Sequence, residues 1–433
     1  MLSKSSWDMS EWKQDIVKTF AESFAGGTPN RSRNDFFNGD IPWISSGEVN
    51  QPYITDTKEK ITEIGLENSS AKWIPKDSVL VAMYGATAGQ VSKNLIKATS
   101  NQAVLALVPF KQLIDNDFLY YQIKQNKESI LYLSQGSGQP NLSKDLIDNF
   151  IINVPVDSTE QRQIAQILST ADAVIEKTQA AIDKYKAIKQ GMLHDLFTRG
   201  IDISTGKLRP KYEEAPELYK ESKLGMIPKE WDAKKIENLA KVNGRVGWKG
   251  YTVSDLRETG PLALGAAAID KENKLDLSKP IHLSMEKYLE SPEIMVQFGD
   301  ILIVQRGTIG KIVIIDKEIG EATINPSMVL LNNIRTNNFF LYYQLCSFIG
   351  QRQIELLTSQ TGVPMISQQQ INSINIAIPK VEKESNAIGE RIRAIDKKLQ
   401  AEQNYLLKLQ KIKSGLMSDL LSGKKRVTVK EED

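Results

Sequence analysis

The sequence predicts an α+β fold: two similar mixed α/β domains separated by two long antiparallel helices that form a coiled coil. Three observations predict it. The pentapeptide FLYYQ occurs at 118–122 and again at 340–344, 222 positions later. Other landmarks repeat around it at nearly the same offset. Each copy then ends in a long stretch whose apolar residues recur in steps of four and three. A period this long is far beyond that of a stacked solenoid and means two whole units, each large enough for its own core.

The landmarks follow the chain in order. Glu11-Trp12 answers to Glu230-Trp231, and Asp77-Ser78-Val79-Leu80-Val81 to Asp300-Ile301-Leu302-Ile303-Val304. The turn GATAG (85–89) answers to GTIG (307–310), SQGSGQPNLS (134–143) to SQTGVPMIS (359–367), and KQGMLHDLF (189–197) to KSGLMSDLL (413–421). Short β-branched runs punctuated by Gly and Pro predict strands in the first part of each copy. This gives a first mixed domain over 1–155 and a second over 230–380.

Long helices are expected over 156–200 and 381–423. The first seam is Ile164, Leu168, Ala171, Ile175, Ile182, Tyr185, Met192 and Leu196; the second is Ile388, Ile392, Ile395, Leu399, Leu406, Leu409, Leu416 and Leu420. The second list is the first shifted by 224, and the spacing is that of a coiled-coil seam. Pro155 and Pro379 precede the helices, Ser158 with Gln161 fits a capping box, and Gly200 and Gly423 mark the stops. Glu160 to Leu196 spans about 55 Å at the usual helical rise, so the helix acts as a spacer. The polar stretch 201–229 is expected to connect the first helix to the second domain, and the second helix to return alongside the first. Residues 424–433 are expected to form a flexible tail.

Composition excludes several function classes. With 55 basic and 53 acidic side chains the net charge is +2, so any nucleic-acid role rests on local patches. One cysteine, Cys346, and two histidines, His194 and His282, leave no disulfide and no zinc site. No signal-peptide core opens the chain and no run of eighteen apolar residues occurs. The chain reads as cytoplasmic, with no membrane association.

Two similar heads at opposite ends of a helical bar would match the local two-fold axes of duplex DNA. Because the heads have diverged, the target would be bipartite and asymmetric, with an unread spacer. GGTPNRSRNDFFNGDIPWISSGEV (26–49), VPVDSTEQRQIAQIL (154–168) and LGMIPKEWDAKKIENLA (224–240) resemble the specificity (S) subunit of type I restriction–modification systems. NGRVGWKGYTVSDLRETGP (243–261) resembles a second opening seen in such domains. Copy two departs from the pattern: it lacks GGTP, and its helix entry reads PKVEKESNAIGERI.

The resemblance covers nearly the whole chain and implies two target-recognition domains without chemistry of their own. It implies that two methyltransferase (M) subunits carry S-adenosylmethionine and methylate adenine in each half-site. Restriction (R) subunits would supply ATP- and Mg-dependent translocation and cleavage. On this view the chain binds double-stranded DNA and no cofactor. It contains no GxxxxGK[ST] phosphate loop and no NPPY- or DPPY-like motif.

Candidate DNA contacts lie on loops. Asn30, Arg31 and Arg33 follow the GGTP turn and suit base-edge readout, against the alternative of a solvated loop. Arg245, Trp248, Lys249 and Tyr251 combine cations with aromatics, although a lone Trp more often caps a core. Lys93, Arg306 and Lys311 flank the Gly turns, whose glycines read as β-turn residues. Gln139 and Asn141 in one copy, and Gln360 and Thr361 in the other, sit on matching polar loops. Lys177, Lys184, Lys186, Lys189, Lys397, Lys398, Lys408, Lys411 and Lys413 are expected on exposed helix flanks, as solvated charge or docking ground for M subunits. Two other function classes compete: a coiled-coil interaction scaffold without sequence-specific DNA binding, and a self-contained methyltransferase or nuclease.

Overall fold

The structure, a computed structural model, describes residues 11–134, 141–244, 250–358 and 363–427. It divides into two units, Met1–Gln179 with Asn404–Asp433, and Ala180–Gln403. Each holds one head and a segment of each long helix.

In the first unit, β1 (Trp12–Ile16) pairs antiparallel with β10 (Ile151–Pro155), tying the two ends of the head together. Between them runs a five-stranded sheet of order β2-β9-β6-β7-β4, from β2 (Ala21–Ala25), β4 (Tyr53–Ile54), β6 (Val79–Ala82), β7 (Val91–Asn94) and β9 (Val104–Pro109). A smaller sheet joins β3 (Phe37–Ile44), β5 (Glu59–Ile61) and β8 (Thr99–Ser100). Short helices α1 (Glu63–Glu67), α2 (Asn116–Gln125), α3 (Lys127–Leu133) and α4 (Lys144–Asp148) complete the head. β6 is buried along its whole length, which is why it reads as an uninterrupted apolar run rather than an alternating one.

The first long helix, α5 (Ser158–Thr198), carries its seam into the head. Ile164 and Leu168 are fully buried in one core with Phe118, Ile152 and Val154. Met417 and Leu420 of the second long helix join the same core. The start of α5 differs from expectation. Asp157 caps it, accepting from the Thr159 N–H at 2.7 Å. Gln161 instead bolts the helix to the head: its Oε1 accepts from the Asp115 N–H at 2.7 Å, and its amide donates to the Pro155 carbonyl at 2.7 Å.

In the second unit, residues 201–229 are more than a polar connector. They form the hairpin β11 (Tyr219–Ser222) and β12 (Gly225–Pro228), and Ile201 and Ile227 enter the core around Trp231. β13 (Trp231–Lys235) pairs with β21 (Asn375–Pro379) as β1 pairs with β10. A four-stranded sheet has the order β14-β20-β17-β18, from β14 (Lys241–Gly244), β17 (Ile301–Val304), β18 (Ile312–Ile314) and β20 (Met328–Asn332). A second sheet contains β15 (Leu256–Leu264), β16 (His282–Leu283) and β19 (Ala322–Ile324). The helices are α6 (Met285–Leu289), α7 (Asn338–Cys346), α8 (Phe348–Leu357), α9 (Gln368–Ser373) and the second long helix α10 (Glu382–Leu420).

Strand pairing corrects one correspondence by a residue. Val79 pairs with Leu107, and Ile301 pairs with Leu331. Asp77 (φ 69°) therefore occupies the place of Gly299 (φ 89°), and Ser78 that of Asp300.

The long helices run antiparallel in each unit. In the first, Asp172 pairs with Lys413, while Glu160 meets Arg426 beyond the end of α10. In the second, Lys189 pairs with Asp396, while Ile201, beyond the end of α5, meets Glu384. Of the predicted seam, Ile164, Leu168, Ile182, Ile388, Ile392 and Leu399 are buried, and Ile175, Tyr185, Leu406 and Leu409 are half-buried. Of the expected flexible tail 424–433, residues 428–433 lie outside the described residues, and 424–427 depart from it: Arg426 pairs with Glu11 and Glu160, and Val427 packs on the core. Among the described residues no helix is long and apolar enough to cross a membrane.

Candidate nucleic-acid interface

In the first head, antiparallel pairing brings the ends of β2 and β6 beside the start of β9, because Ala25 and Val81 both oppose Leu105. The connections leaving this end gather there. The Met83 N–H donates to the Ala103 carbonyl at 2.8 Å, the Leu142 N–H donates to the Met83 carbonyl at 2.9 Å, and Tyr84 bridges Asn141. Thr28 is hydrogen-bonded to Gln102 across the same rim.

The second head repeats the arrangement. The Gln305 N–H donates to the Ser327 carbonyl at 2.9 Å, the Ile366 N–H donates to the Gln305 carbonyl at 3.0 Å, and Arg306 bridges Met365. The start of the Gly turn and the described end of the polar loop, separate motifs in the sequence, thus meet at one rim in each head. Gly85 (φ 75°) and Gly307 (φ 88°) have the left-handed backbone that such turns require.

The predicted contacts fare unequally. Asn30, Arg31 and Arg33 are exposed, but each is engaged within the head. The Asn30 side chain accepts from the Ser32 N–H at 3.0 Å. Arg31 makes a two-point contact with Glu59 at 2.8 and 3.0 Å, its guanidinium 5.0 Å from both the Phe37 and Trp43 ring centres. Arg33 does the same with Asp35 at 2.6 and 2.8 Å. Hydrogen bonds from these arginines hold the carboxyls of Glu59 and Asp35 below their usual range, so both pairs are ionised at neutral pH.

The GGTP glycines serve packing rather than approach to a groove. A Cβ on Gly26 would lie 2.1 Å from the Ser100 carbonyl oxygen, and one on Gly27 2.3 Å from Ser70 Oγ.

Lys93 is a correction. It lies on β7, is buried, and its ammonium pairs with Asp117 at 2.7 Å and Asp77 at 3.5 Å, so it holds the core instead of facing a phosphate. Lys311 turns inward and donates to the Ile269 carbonyl at 2.7 Å. Lys189 and Lys413 are likewise largely covered and paired rather than exposed. Arg306 is exposed, with Met365 Sδ at 3.5 Å from its guanidinium and no ion pair among the described residues. Asn141 is exposed and Tyr251 half-buried. Gln139, Arg245, Trp248, Lys249, Gln360 and Thr361 lie outside the described residues.

Sequence reasoning missed Tyr84, 39% exposed at the rim where the second head has Arg306. It also missed Tyr132 and Leu356, 74% and 75% exposed on α3 and α8 just before the polar loops. The offset of 222 set by FLYYQ would have found Tyr84, since it aligns that residue with Arg306.

Two heads of one design, each presenting a loop rim of different chemistry, define a duplicated recognition protein. The family described as type I restriction modification DNA specificity domain matches residues 9–184 and 228–411, and the chain belongs to that family. It is similar to the MjaVIII specificity subunit of Methanocaldococcus jannaschii, 25% identical over 96% of this chain and 93% of that one. It also resembles the EcoR124I/EcoR124II specificity subunit of Escherichia coli, 28% identical over 42% of this chain and 45% of that one. Among solved structures, the S subunit of a type I restriction–modification system from M. genitalium shares the fold. Its TM-score is 0.61 at 16% identity, covering 97% of this chain and 98% of that one. The fold of two similar mixed domains with two long helices is that of this family, and the chain serves DNA sequence recognition within a type I restriction–modification system.

Proposed function

We propose that the chain reads a bipartite, asymmetric site on double-stranded DNA, one half-site per head with an unread spacer between. It would direct adenine methylation by two M subunits and restriction by R subunits, in the cytoplasm. S-adenosylmethionine belongs to the M subunits and ATP with Mg to the R subunits, so this chain contributes recognition alone. One observation carries the asymmetry: equivalent rim positions hold Tyr84 and Asn141 in one head but Arg306 and Met365 in the other. Side chains of such different hydrogen-bonding capacity select different base edges.

Co-expression with the neighbouring methyltransferase, followed by genome-wide mapping of modified adenines by single-molecule sequencing, tests this directly. A two-part asymmetric motif is the expected result. A palindromic motif would defeat the asymmetry, and methylation unaffected by loss of this chain would favour an interaction scaffold. Methylation or cleavage by the isolated chain would favour a self-contained enzyme.

A further inference from the structure

In each unit an aspartate–lysine pair joins the two long helices beside a buried tyrosine of the head. In the first unit, Asp172 of α5 accepts a hydrogen bond from the Tyr121 hydroxyl of α2 at 2.9 Å, while its other oxygen is paired with Lys413 of α10. Tyr121 is 1% exposed, and burial together with Asp172 pushes its phenol well above the usual range. Lys413 also lies 5.9 Å from the Tyr121 ring centre.

The second unit rebuilds the junction with the helices exchanged. Asp396 now lies on α10 and Lys189 on α5, 2.6 Å apart, with Lys189 5.6 Å from the ring centre of Tyr343 on α7. Burial and the neighbouring Asp396 raise the Tyr343 phenol in the same sense. Asp172 and Asp396 stand 224 positions apart, as do Lys189 and Lys413, so the duplication carried the whole junction with it.

Apolar packing of a head on a helix pair is non-directional and tolerates small rotations. A carboxylate with both oxygens engaged by charge-assisted hydrogen bonds, as those of Asp172 are, does not, because its partners must keep their angles. Angle is what spacing demands. Each base pair added to a spacer turns the far half-site by about a tenth of a helical turn.

We propose that Asp172 and Asp396 are positioning residues that fix each head on its helix pair, and thereby restrict the protein to one spacer length. This rests on the bipartite recognition proposed above, and the test separates the two. The complex with its methyltransferase is given sites carrying both native half-sites, with the spacer varied one base pair at a time. The wild type methylates one spacing. Tyr121→Phe, which removes only the hydroxyl, raises methylation at the adjacent spacing about tenfold relative to the native one, the change expected when a hydrogen bond to a charged group is lost. The half-site sequences stay unchanged. Asp172→Asn acts in the same direction, and exchanging the charges in Asp172→Lys with Lys413→Asp restores single-spacing selectivity. The proposal is overturned if Tyr121→Phe and Asp172→Asn, folded by thermal melting, keep single-spacing methylation or lose it equally at every spacing. A wild-type complex that methylates no two-part site overturns the bipartite reading itself.

Discussion

Arg209 and Glu384 form a buried two-point ion pair, at 2.5 and 3.0 Å, between the segment that follows α5 and the first turn of α10. Their side chains are only 8% and 3% exposed. Glu384 also accepts from the Ile201 N–H at 2.8 Å and the Trp231 indole N–H at 3.0 Å, so its oxygens collect most of the polar groups at this junction. Glu384→Ala leaves the buried Arg209 charge with only the exposed Glu230, 2.6 Å away, which costs about 3 kcal/mol, the low end for a broken buried pair. Denaturant unfolding of the full chain should show that loss in the transition reporting Trp231. A loss under about 1 kcal/mol would mean that solvent reaches Arg209 and relieves it.

The glycines that end the two long helices should differ in tolerance. Gly200 (φ 65°) and Gly423 (φ 73°) share a left-handed backbone, which costs an alanine about 1–2 kcal/mol at either place. A Cβ at Gly200 would also lie 2.4 Å from Glu384 Oε1 and 2.5 Å from Arg209 Nη1. At Gly423 the nearest atom is a Trp12 ring carbon at 3.2 Å. Gly200→Ala is therefore expected to lower stability by about 2 kcal/mol more than Gly423→Ala. Equal losses by chemical denaturation would show that the ion-pair pocket yields.

These junctions also mark where legibility in the sequence ended. The duplication, the seam and the strand runs were readable because apolar periodicity and repeat offset survive divergence. Ile164, Leu168, Ile388 and Ile392 are buried as their spacing requires. Ion pairing left no comparable trace. Nothing local in the sequence distinguishes Lys93, whose partners lie 16 and 24 residues away, from an exposed lysine beside a turn. Arg426 was hidden the same way, since its partners Glu11 and Glu160 lie 415 and 266 residues away. Gln161 has capping-box spacing, yet its side chain bolts α5 to the head; only tertiary contacts decide between those uses. The rim was half legible: its loops were found, but their closure into one edge depends on strand register.

Asp300 predicts a pH dependence confined to the second head. Burial pushes its carboxyl up from 3.8 to about 6, opposed by a hydrogen bond from the Gln297 N–H. Folding therefore favours the protonated form. The stabilisation is fully present below about pH 4 and is lost as pH rises through about 6. Ser78, at the same place in the first head, carries no charge and donates to the Pro75 carbonyl at 2.8 Å. Asp300→Asn keeps an acceptor for the Gln297 N–H, so it should flatten stability between pH 4 and 6 and add about 1–2 kcal/mol above pH 7. Unfolding midpoints across pH 4–8 check this; an unchanged slope would place the titration elsewhere.

Arg306→Gln and Glu59→Gln, which frees Arg31, should change DNA affinity in opposite directions. Arg306 projects from the second rim without an acidic partner among the described residues, so it is available to a base edge or phosphate. Arg306→Gln is expected to weaken specific binding by about 1–3 kcal/mol and relax one position of the half-site. Arg31 is neutralised by Glu59, and a phosphate must displace that carboxylate before it gains the guanidinium. Glu59→Gln removes the competing charge. Non-specific affinity should rise, and the dependence of log K on log salt should steepen by about one. Fluorescence anisotropy with labelled duplexes across a KCl series measures both effects. Weaker binding by Glu59→Gln would mean that the carboxylate holds Arg31 in its DNA-contacting pose, so that the ion pair serves recognition by orientation instead of restraining it by competition.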